Sequence, residues 1–470
     1  MILQSFATFL PALLAGFGLM HLLWESRGNA WALPLKASLG VGLGLGITSC
    51  LYFFRLLLLP GQGGYLLIEL AFLVVVLIAL FVRKRFSLDH PLRLTLPSWM
   101  QILFTAAALL VLFSAVSYSL VFARISPHGD YDAQAIWNLR ARFIYRSGNA
   151  WEQAFSPEIN RNFHMDYPLL VPLNVVGGWS TLGDEVLRIP AVQSMLFLYG
   201  IAGVIYCLIA YLRSNMQAAL ALIILMATPR LLLFSTFQTA DIPVTYYFLA
   251  ALVLLILAFN EDNPRLLFLS GIMAGIAAWA KNEGISFLLL VMLVTGWLLR
   301  EHAKMHRLRA FLLGSILPAV TVIVFKIHLP ASHTNDLFAG NEISVVLSKL
   351  FDPTRYIAIF NRLGSELLQL GGWSFSILII LILYGLIMGQ IKRNTIDRRL
   401  FLLPLLQLAI YFGVYLITPN DLNWQMNYSM DRLLIHLFPM VLLIFFLLVN
   451  TPEDALGLHQ DEANRPLQDL

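Results

Sequence analysis

Charge is what this sequence has least of. Asp, Glu, Lys and Arg make up 12% of its 470 residues, against 59% hydrophobic ones. A soluble domain carries roughly 25% charged residues. The shortfall, with a mean hydropathy of +0.76, excludes the water-soluble globular classes and leaves a membrane protein. Cysteine is nearly missing too. The two present, Cys50 and Cys207, lie inside apolar runs, which excludes a disulfide framework and a thiolate zinc site. Gly/Ser linkers, low-complexity tracts and internal repeats are absent, so the chain is neither a string of tethered modules nor a solenoid. The run Gly40, Gly42, Gly44, Gly46 lacks the lysine of a nucleotide-binding loop and sits within an apolar stretch. It predicts close helix packing, as do Gly271 and Gly275. The net charge of +4 is distributed among loops, and nothing points to nucleic acid. The first apolar stretch has no basic leading region and no small-residue cleavage site, so it is expected to remain as a span.

What the chain does have is long apolar runs. A span needs roughly 20 apolar residues, and with no water to bond the backbone those spans must be helices. The expectation is an all-α polytopic protein of about 13 transmembrane helices. They fall near 5–23, 36–59, 65–82, 99–122, 189–211, 217–234, 241–259, 266–280, 284–300, 310–327, 367–390, 400–418 and 433–450. The basic loops "RKRF", "REHAKMHRLR" and "IKRNTIDRR" all fall on one side in this count, while "PGQGG", "STFQT" and "TPNDLNWQMNYSM" carry no Lys or Arg. Basic loops stay cytoplasmic. That puts the amino terminus outside, the acidic tail at 451–470 in the cytoplasm, and the long loops 123–188 and 328–366 on the outer face of the inner membrane.

The first outer loop holds the densest chemistry, "HGDYDAQAIWNLRARFIYR" at 128–146. Residues 131–147 read as a surface helix with Ile136, Leu139 and Phe143 on one apolar stripe. At its start stand Asp130 and Asp132. Either can cap the helix or favour its dipole; one held at the edge of a cavity can act as a general base; the two together can hold a divalent cation. Spacing leaves these three open. Farther on, "NFHMDYPLLVPL" contributes His164 and Asp166, a weak metal pair and an ordinary polar loop pair. Trp151 and Trp179 are expected at headgroup level, and Arg140, Arg142, Arg146 and Arg161 toward lipid phosphate or a bound lipid substrate.

A charge at bilayer depth costs about 2.5 to 3.5 kcal/mol, so outer span ends that carry one are candidates. "QTADIP" places Asp241 at a span start, with helix capping as its plainer reading. "WAKNEG" places Lys281, Asn282 and Glu283 in a tight turn, where a solvated contact is the plainer reading. "YSMDRLLIHLFP" sets Asp431 and Arg432 at the start of the last span, with His436 one turn deeper as an interior histidine. Acids, a lysine and an arginine drawn from distant loops to one face suit a cavity that holds a phosphate and accepts a proton.

Taken in order, "GDYDAQAIWNLRARF", "DYPLLVPL", "TADIP", "WAKNEG" and "SMDRLL" resemble the integral-membrane GT-C glycosyltransferases, specifically the bacterial relatives of protein O-mannosyltransferases and aminoarabinose transferases. The likeness spans roughly 99–450 and implies a catalytic core there, preceded by helices in 1–98. It implies a polyprenyl-phosphate sugar donor, a lipid, glycan or protein acceptor, and no cofactor beyond a divalent cation left open. It implies Asp132 more closely than Asp130 as the catalytic base, with Asp130 its cap or partner, and Asp166, Asp241, Lys281, Glu283 and Arg432 as cavity residues. The family's histidine and paired prolines are replaced by His164, Met165, Asp166, Tyr167 and Pro168, which leaves the role of His164 open. The expected reaction is an inverting displacement in which Asp132 takes the acceptor proton and Lys281 or Arg432 stabilises the departing phosphate. A lipid-glycan flippase, which would show inverted repeats and broken helices, and a non-catalytic assembly subunit are the alternatives.

Overall fold

The computed structural model describes residues 2–26, 29–59, 63–85, 98–156, 164–329, 342–390 and 398–455. Arg161, most of the basic loop 391–399 and the tail beyond residue 455 lie outside the described residues. Helices form the whole frame, and the described residues contain no strand beyond an isolated bridge between Gln390 and Val449. In chain order they are α1 (Ile2–Ala7), α2 (Leu10–Leu23), α3 (Ala32–Leu58), α4 (Tyr65–Val82), α5 (Trp99–Ile125), α6 (Asn138–Ser147), α7 (Leu170–Leu182), α8 (Arg188–Leu212), α9 (Asn215–Met226), α10 (Pro229–Thr236), α11 (Asp241–Asn260), α12 (Pro264–Ala280), α13 (Glu283–Glu301), α14 (Leu308–His328), α15 (Ile343–Leu350), α16 (Pro353–Leu368), α17 (Ile377–Met388), α18 (Leu402–Ile417), α19 (Leu422–Leu448) and α20 (Pro452–Ala455).

The chain is an all-α polytopic membrane protein, but the expected count of 13 spans needs correction. Among the described residues nine helices are long and apolar enough to cross, α3, α4, α5, α8, α11, α13, α14, α18 and α19, and eleven spans result if two bent pairs are added. Those pairs are α9 with α10, bent by 60°, and α16 with α17, bent by 80°. The stretches expected as spans at 5–23 and 266–280 are the shorter helices α2 and α12. At 1.5 Å per residue the 17 residues of α12 reach about 26 Å, short of the roughly 30 Å of hydrocarbon. α12 is instead enclosed by protein along nearly its whole length.

α11 is the axis of the bundle. Eighteen of its 20 residues are buried, between α3, α8, α12, α13 and α19. The glycine run of α3 packs as expected: a Cβ on Gly44 would lie 2.0 Å from the Ala12 carbonyl oxygen of α2. Gly271 does the same for α12 against α14, where a Cβ would meet the Phe311 carbonyl oxygen at 2.1 Å. Without a hydrophobic drive between helices in lipid, such backbone approach is what lets dispersion hold them.

The polar ends divide in two. At one end Asp262 takes Lys304 and Arg307 at 2.5 Å each, Arg265 pairs with Glu25 at 3.2 Å, and Glu261 accepts from the Trp24 indole and Tyr211 hydroxyl at 2.9 Å each. Arg85, Lys304 and Arg307 of the basic loops lie there, Arg85 against Glu25. The opposite end collects the acids of the first long loop and the starts of α11 and α13.

Candidate active site

α5 delivers the first long loop to that second end. Its start is fixed by a capping box, in which Ser98 Oγ accepts from the Gln101 amide at 3.2 Å and the Gln101 side chain returns to the Ser98 amide at 2.9 Å. After Ile125 the chain turns at Gly129, whose φ of +74° a Cβ would resist and which packs against the Phe237 carbonyl. The Asp130 amide donates to that carbonyl at 3.2 Å, the Gln238 side chain to the Pro127 carbonyl at 3.2 Å, and Asn138 to Gln238 at 2.9 Å. The loop is thereby fastened to the turn that precedes α11. A π-helical turn at Ala133–Trp137 follows and runs straight into α6. This segment is a helix, as expected, but Ile136, Arg140, Ala141 and Ile144 are buried and it packs against α7 instead of lying on lipid.

Asp132 stands at the start of the π turn and makes no capping bond. Its carboxylate instead contacts the Arg432 guanidinium of α19, and the Asp130 carboxylate lies 3.9 Å from the same arginine. Asp132 and Arg432 are 29% and 23% exposed, so the pair is open to a ligand. The last span begins at Leu422, earlier than 433, so Arg432 projects from the helix body. Asp431 accepts from the Arg432 amide at 2.8 Å and stands 3.9 Å from Arg230.

Asp241 is enclosed. Its carboxylate takes Lys281 Nζ at 2.8 Å, His436 Nε2 at 3.0 Å and the Thr239 hydroxyl at 2.9 Å, which displaces the capping reading. Lys281 also reaches Glu283 at 2.9 Å. Burial pushes the Lys281 ammonium down, but the two carboxylates outweigh it and hold it well above the ordinary lysine range, so it stays charged. The solvated-turn reading of "WAKNEG" is corrected accordingly: Lys281 is buried. His436 is fully buried and its Nδ1 lies 3.4 Å from the Tyr411 hydroxyl, an interior histidine as expected.

Asp166 belongs to a neighbouring cluster. Its Oδ2 accepts from Asn282 at 2.8 Å and Lys326 at 3.1 Å, and Lys326 donates to Asn282 Oδ1 at 2.9 Å. His164 adopts φ of +29°, stacks on Tyr167 with centroids 4.5 Å apart, and its carbonyl accepts from Arg140 at 2.5 Å. Arg140 also bonds the Tyr167 carbonyl at 3.1 Å and is buried, so it braces the loop and does not face lipid phosphate. Arg146 is committed to Glu185 at 2.6 and 2.8 Å. Trp151 and Trp179 are core residues and not headgroup anchors.

The fold thus draws together two groups of the expected residues: Asp130, Asp132 and Arg432 at the rim, and Asp241, Lys281 and Glu283 beneath. Asp166 joins them through Asn282, the residue between Lys281 and Glu283. Lys326 and Arg230 were not anticipated. Lys326 had a signal, a lysine at the end of an apolar run; Arg230 had none, because it lies inside a stretch that reads as one continuous span. Among the described residues no group of three or more His, Cys, Asp or Glu side chains is arranged to hold a metal ion.

A family model described as dolichyl-phosphate-mannose-protein mannosyltransferase matches residues 180–329. The matched stretch runs from the last turn of α7 through α14 and includes Asp241, Lys281, Glu283 and Lys326 but neither Asp132 nor Arg432. No curated protein and no solved structure matches the chain. The match covers about a third of the chain, and on the all-α polytopic frame it supports a membrane glycosyltransferase of GT-C type.

Proposed function

We propose that the chain moves a sugar from a polyprenyl-phosphate donor to a hydroxyl or amine of a lipid, glycan or protein acceptor, with inversion, at the outer face of the inner membrane. The observation that carries this reading is the contact between Asp132 and Arg432 at an open rim. A carboxylate and a guanidinium side by side supply the two things the displacement needs. Arg432 turns to the donor phosphate, a planar fork being suited to its oxygens, and that frees Asp132. Asp132 then takes the acceptor proton as the acceptor atom bonds to the anomeric carbon, and the carbon–oxygen bond to phosphate breaks with its electron pair leaving on the phosphate. Lys281, balanced by Asp241 and Glu283, serves as scaffold, which leaves Arg432 as the phosphate ligand. On this reading residues 99–450 form the core, 1–98 an accessory set of helices and 451–470 a cytoplasmic tail.

The test is Asp132→Asn assayed with a lipid-linked donor after thermal melting has verified folding. A general base contributes typically about 10² to 10⁴-fold, so kcat should fall by that factor, and activity within a few-fold of the parent overturns the assignment. The two bent helix pairs favour a second reading, a carrier of lipid-linked glycan, since broken helices line transport sites. A carrier would move labelled lipid across vesicle membranes with no sugar transferred.

A further inference from the structure

Three exposed aromatic residues flank the Asp132–Arg432 contact and take no part in the displacement. Tyr131 lies between Asp130 and Asp132 and is exposed. Tyr428 and Trp424 precede Arg432 on α19 by four and eight residues, are 63% and 54% exposed, and have ring centroids 5.3 Å apart. Residues four apart on a helix share a face, so Trp424, Tyr428 and Arg432 form one column. Beside it runs a second, Asn423, Asn427 and Asp431, of which the two amides are exposed. Met426 and Met430, both buried, carry the side turned to the bundle.

α19 has the length to hold this face clear of the hydrocarbon. Its 27 residues reach about 40 Å at 1.5 Å each, roughly 10 Å more than the hydrocarbon needs. The surplus lies at the rim end. From Leu433 onward nearly every residue is buried, whereas Asn423, Trp424, Asn427 and Tyr428 are open. The Asp421 carboxylate caps the first turn by accepting from the Trp424 amide at 2.8 Å, which fixes where the columns start. Between that cap and Asp431 the helix carries no charge.

What such a face recognises follows from its chemistry. Hydrocarbon does not suit it, because the exposed amides would lose their water with nothing to replace it. A charged peptide or an anionic headgroup finds no ionic partner along it. A sugar ring fits both columns: its C–H face meets the negative face of an aromatic ring, and its hydroxyls meet amides that donate and accept. Tyr and Trp also gather at membrane interfaces as lipid anchors, but an anchor needs neither an amide column beside it nor alignment with Arg432.

We infer that the first two turns of α19, with Tyr131, are the acceptor platform, and that the acceptor is a glycan whose rings stack on Trp424 and Tyr428. This rests on the glycosyltransferase reading above and narrows its acceptor from three classes to one. A glycan laid along the column brings its terminal ring to Asp132. A hydroxyl of that ring gives its proton to Asp132 as its oxygen bonds to the donor's anomeric carbon, and the phosphate departs with the electron pair.

Two measurements on the purified full-length protein test this. The first is binding to an array of neutral hexose and N-acetylhexosamine oligosaccharides. The parent should bind at least one member, and Trp424→Ala/Tyr428→Ala should bind it at least about tenfold more weakly. Trp424→Phe/Tyr428→Phe, which keeps the rings, should stay within a few-fold of the parent. Both positions are exposed, so neither variant removes core packing. A parent that binds no member, or an alanine variant that binds as the parent does, overturns the inference. The second is transfer from a polyprenyl-phosphate mannose donor to the bound oligosaccharide, in which the alanine variant should raise the acceptor KM at least about tenfold and leave the donor KM within a few-fold. A change in the donor KM alone also overturns it. Glycan binding with no sugar transferred sinks the enzymatic reading and keeps the platform, whereas transfer to a lipid or peptide at a rate the alanine variant retains sinks the platform and keeps the enzyme.

Discussion

Asp132 and Asp241 carry the same functional group and are divided by what surrounds them. Asp132 is 29% exposed with a single arginine, whereas Asp241 is 3% exposed with three hydrogen-bond donors around it. An exposed pair is worth about 0 to 1 kcal/mol, so Asp132→Asn should leave thermal stability in detergent nearly unchanged while removing activity. Asp241→Asn should do the reverse first: it takes the shared buried acceptor from Lys281, His436 and Thr239, and breaking a buried ionic network costs up to about 3 to 5 kcal/mol. The expected result is a large fall in melting temperature, and a larger one in Lys281→Met, which leaves both Asp241 and Glu283 without their cation; unchanged melting of Asp241→Asn would refute the scaffold role. The sequence showed that these residues stand at span ends, since hydropathy marks where apolar runs stop. It could not show which carboxylate meets which cation, because partners such as Asp132 and Arg432 are chosen by helix packing across 300 residues.

At the scale of helices, glycine and proline carried information that hydropathy averaging overlooks. The stretch 217–234 reads as one span, yet Thr228 precedes Pro229 and a residue before proline avoids the helical region; there the chain bends by 60°. Gly371 and Gly372 mark the 80° bend between α16 and α17 in the same way. The nine clear spans, by contrast, were legible as spans, because length and apolarity alone determine them, although α19 begins at Leu422 and not near 433. Small residues inside spans were legible as packing sites but not as to partner. Gly271→Ala should destabilise by about 1 to 3 kcal/mol through overpacking against α14. Gly413→Ala, in α18 where a Cβ meets nothing within 4 Å, should be neutral or stabilise by roughly 0.5 to 1 kcal/mol. Melting of the two variants side by side checks this, and equal effects would contradict the packing assigned to α12.

For the molecule as a whole, the two polar ends make opposite predictions about access. Tyr131 is 64% exposed at the acidic end and Met305 46% exposed near the basic end, while native Cys50 and Cys207 are buried and stay silent. In sealed vesicles of known orientation, an impermeant maleimide should label Tyr131→Cys from the outer face and Met305→Cys only from the cytoplasmic face. The reversed pattern would invert the topology and with it the side on which sugar is transferred. The charge rule proposes this orientation from loops alone; what it could not read is that α6 and α7 of the first long loop fold into the bundle, since their apolar faces look the same whether they meet lipid or protein. Placing Asp132 and Arg432 so far apart along the chain also has a bearing on biogenesis. At roughly 5 to 20 residues per second, the ribosome finishes α19 on the order of 15 to 60 seconds after the acid has emerged. Until that last helix is inserted the half-made protein has a carboxylate without its guanidinium, so under the proposed mechanism a nascent or truncated chain is silent toward a donor phosphate, and competence arrives in one step at the end of synthesis.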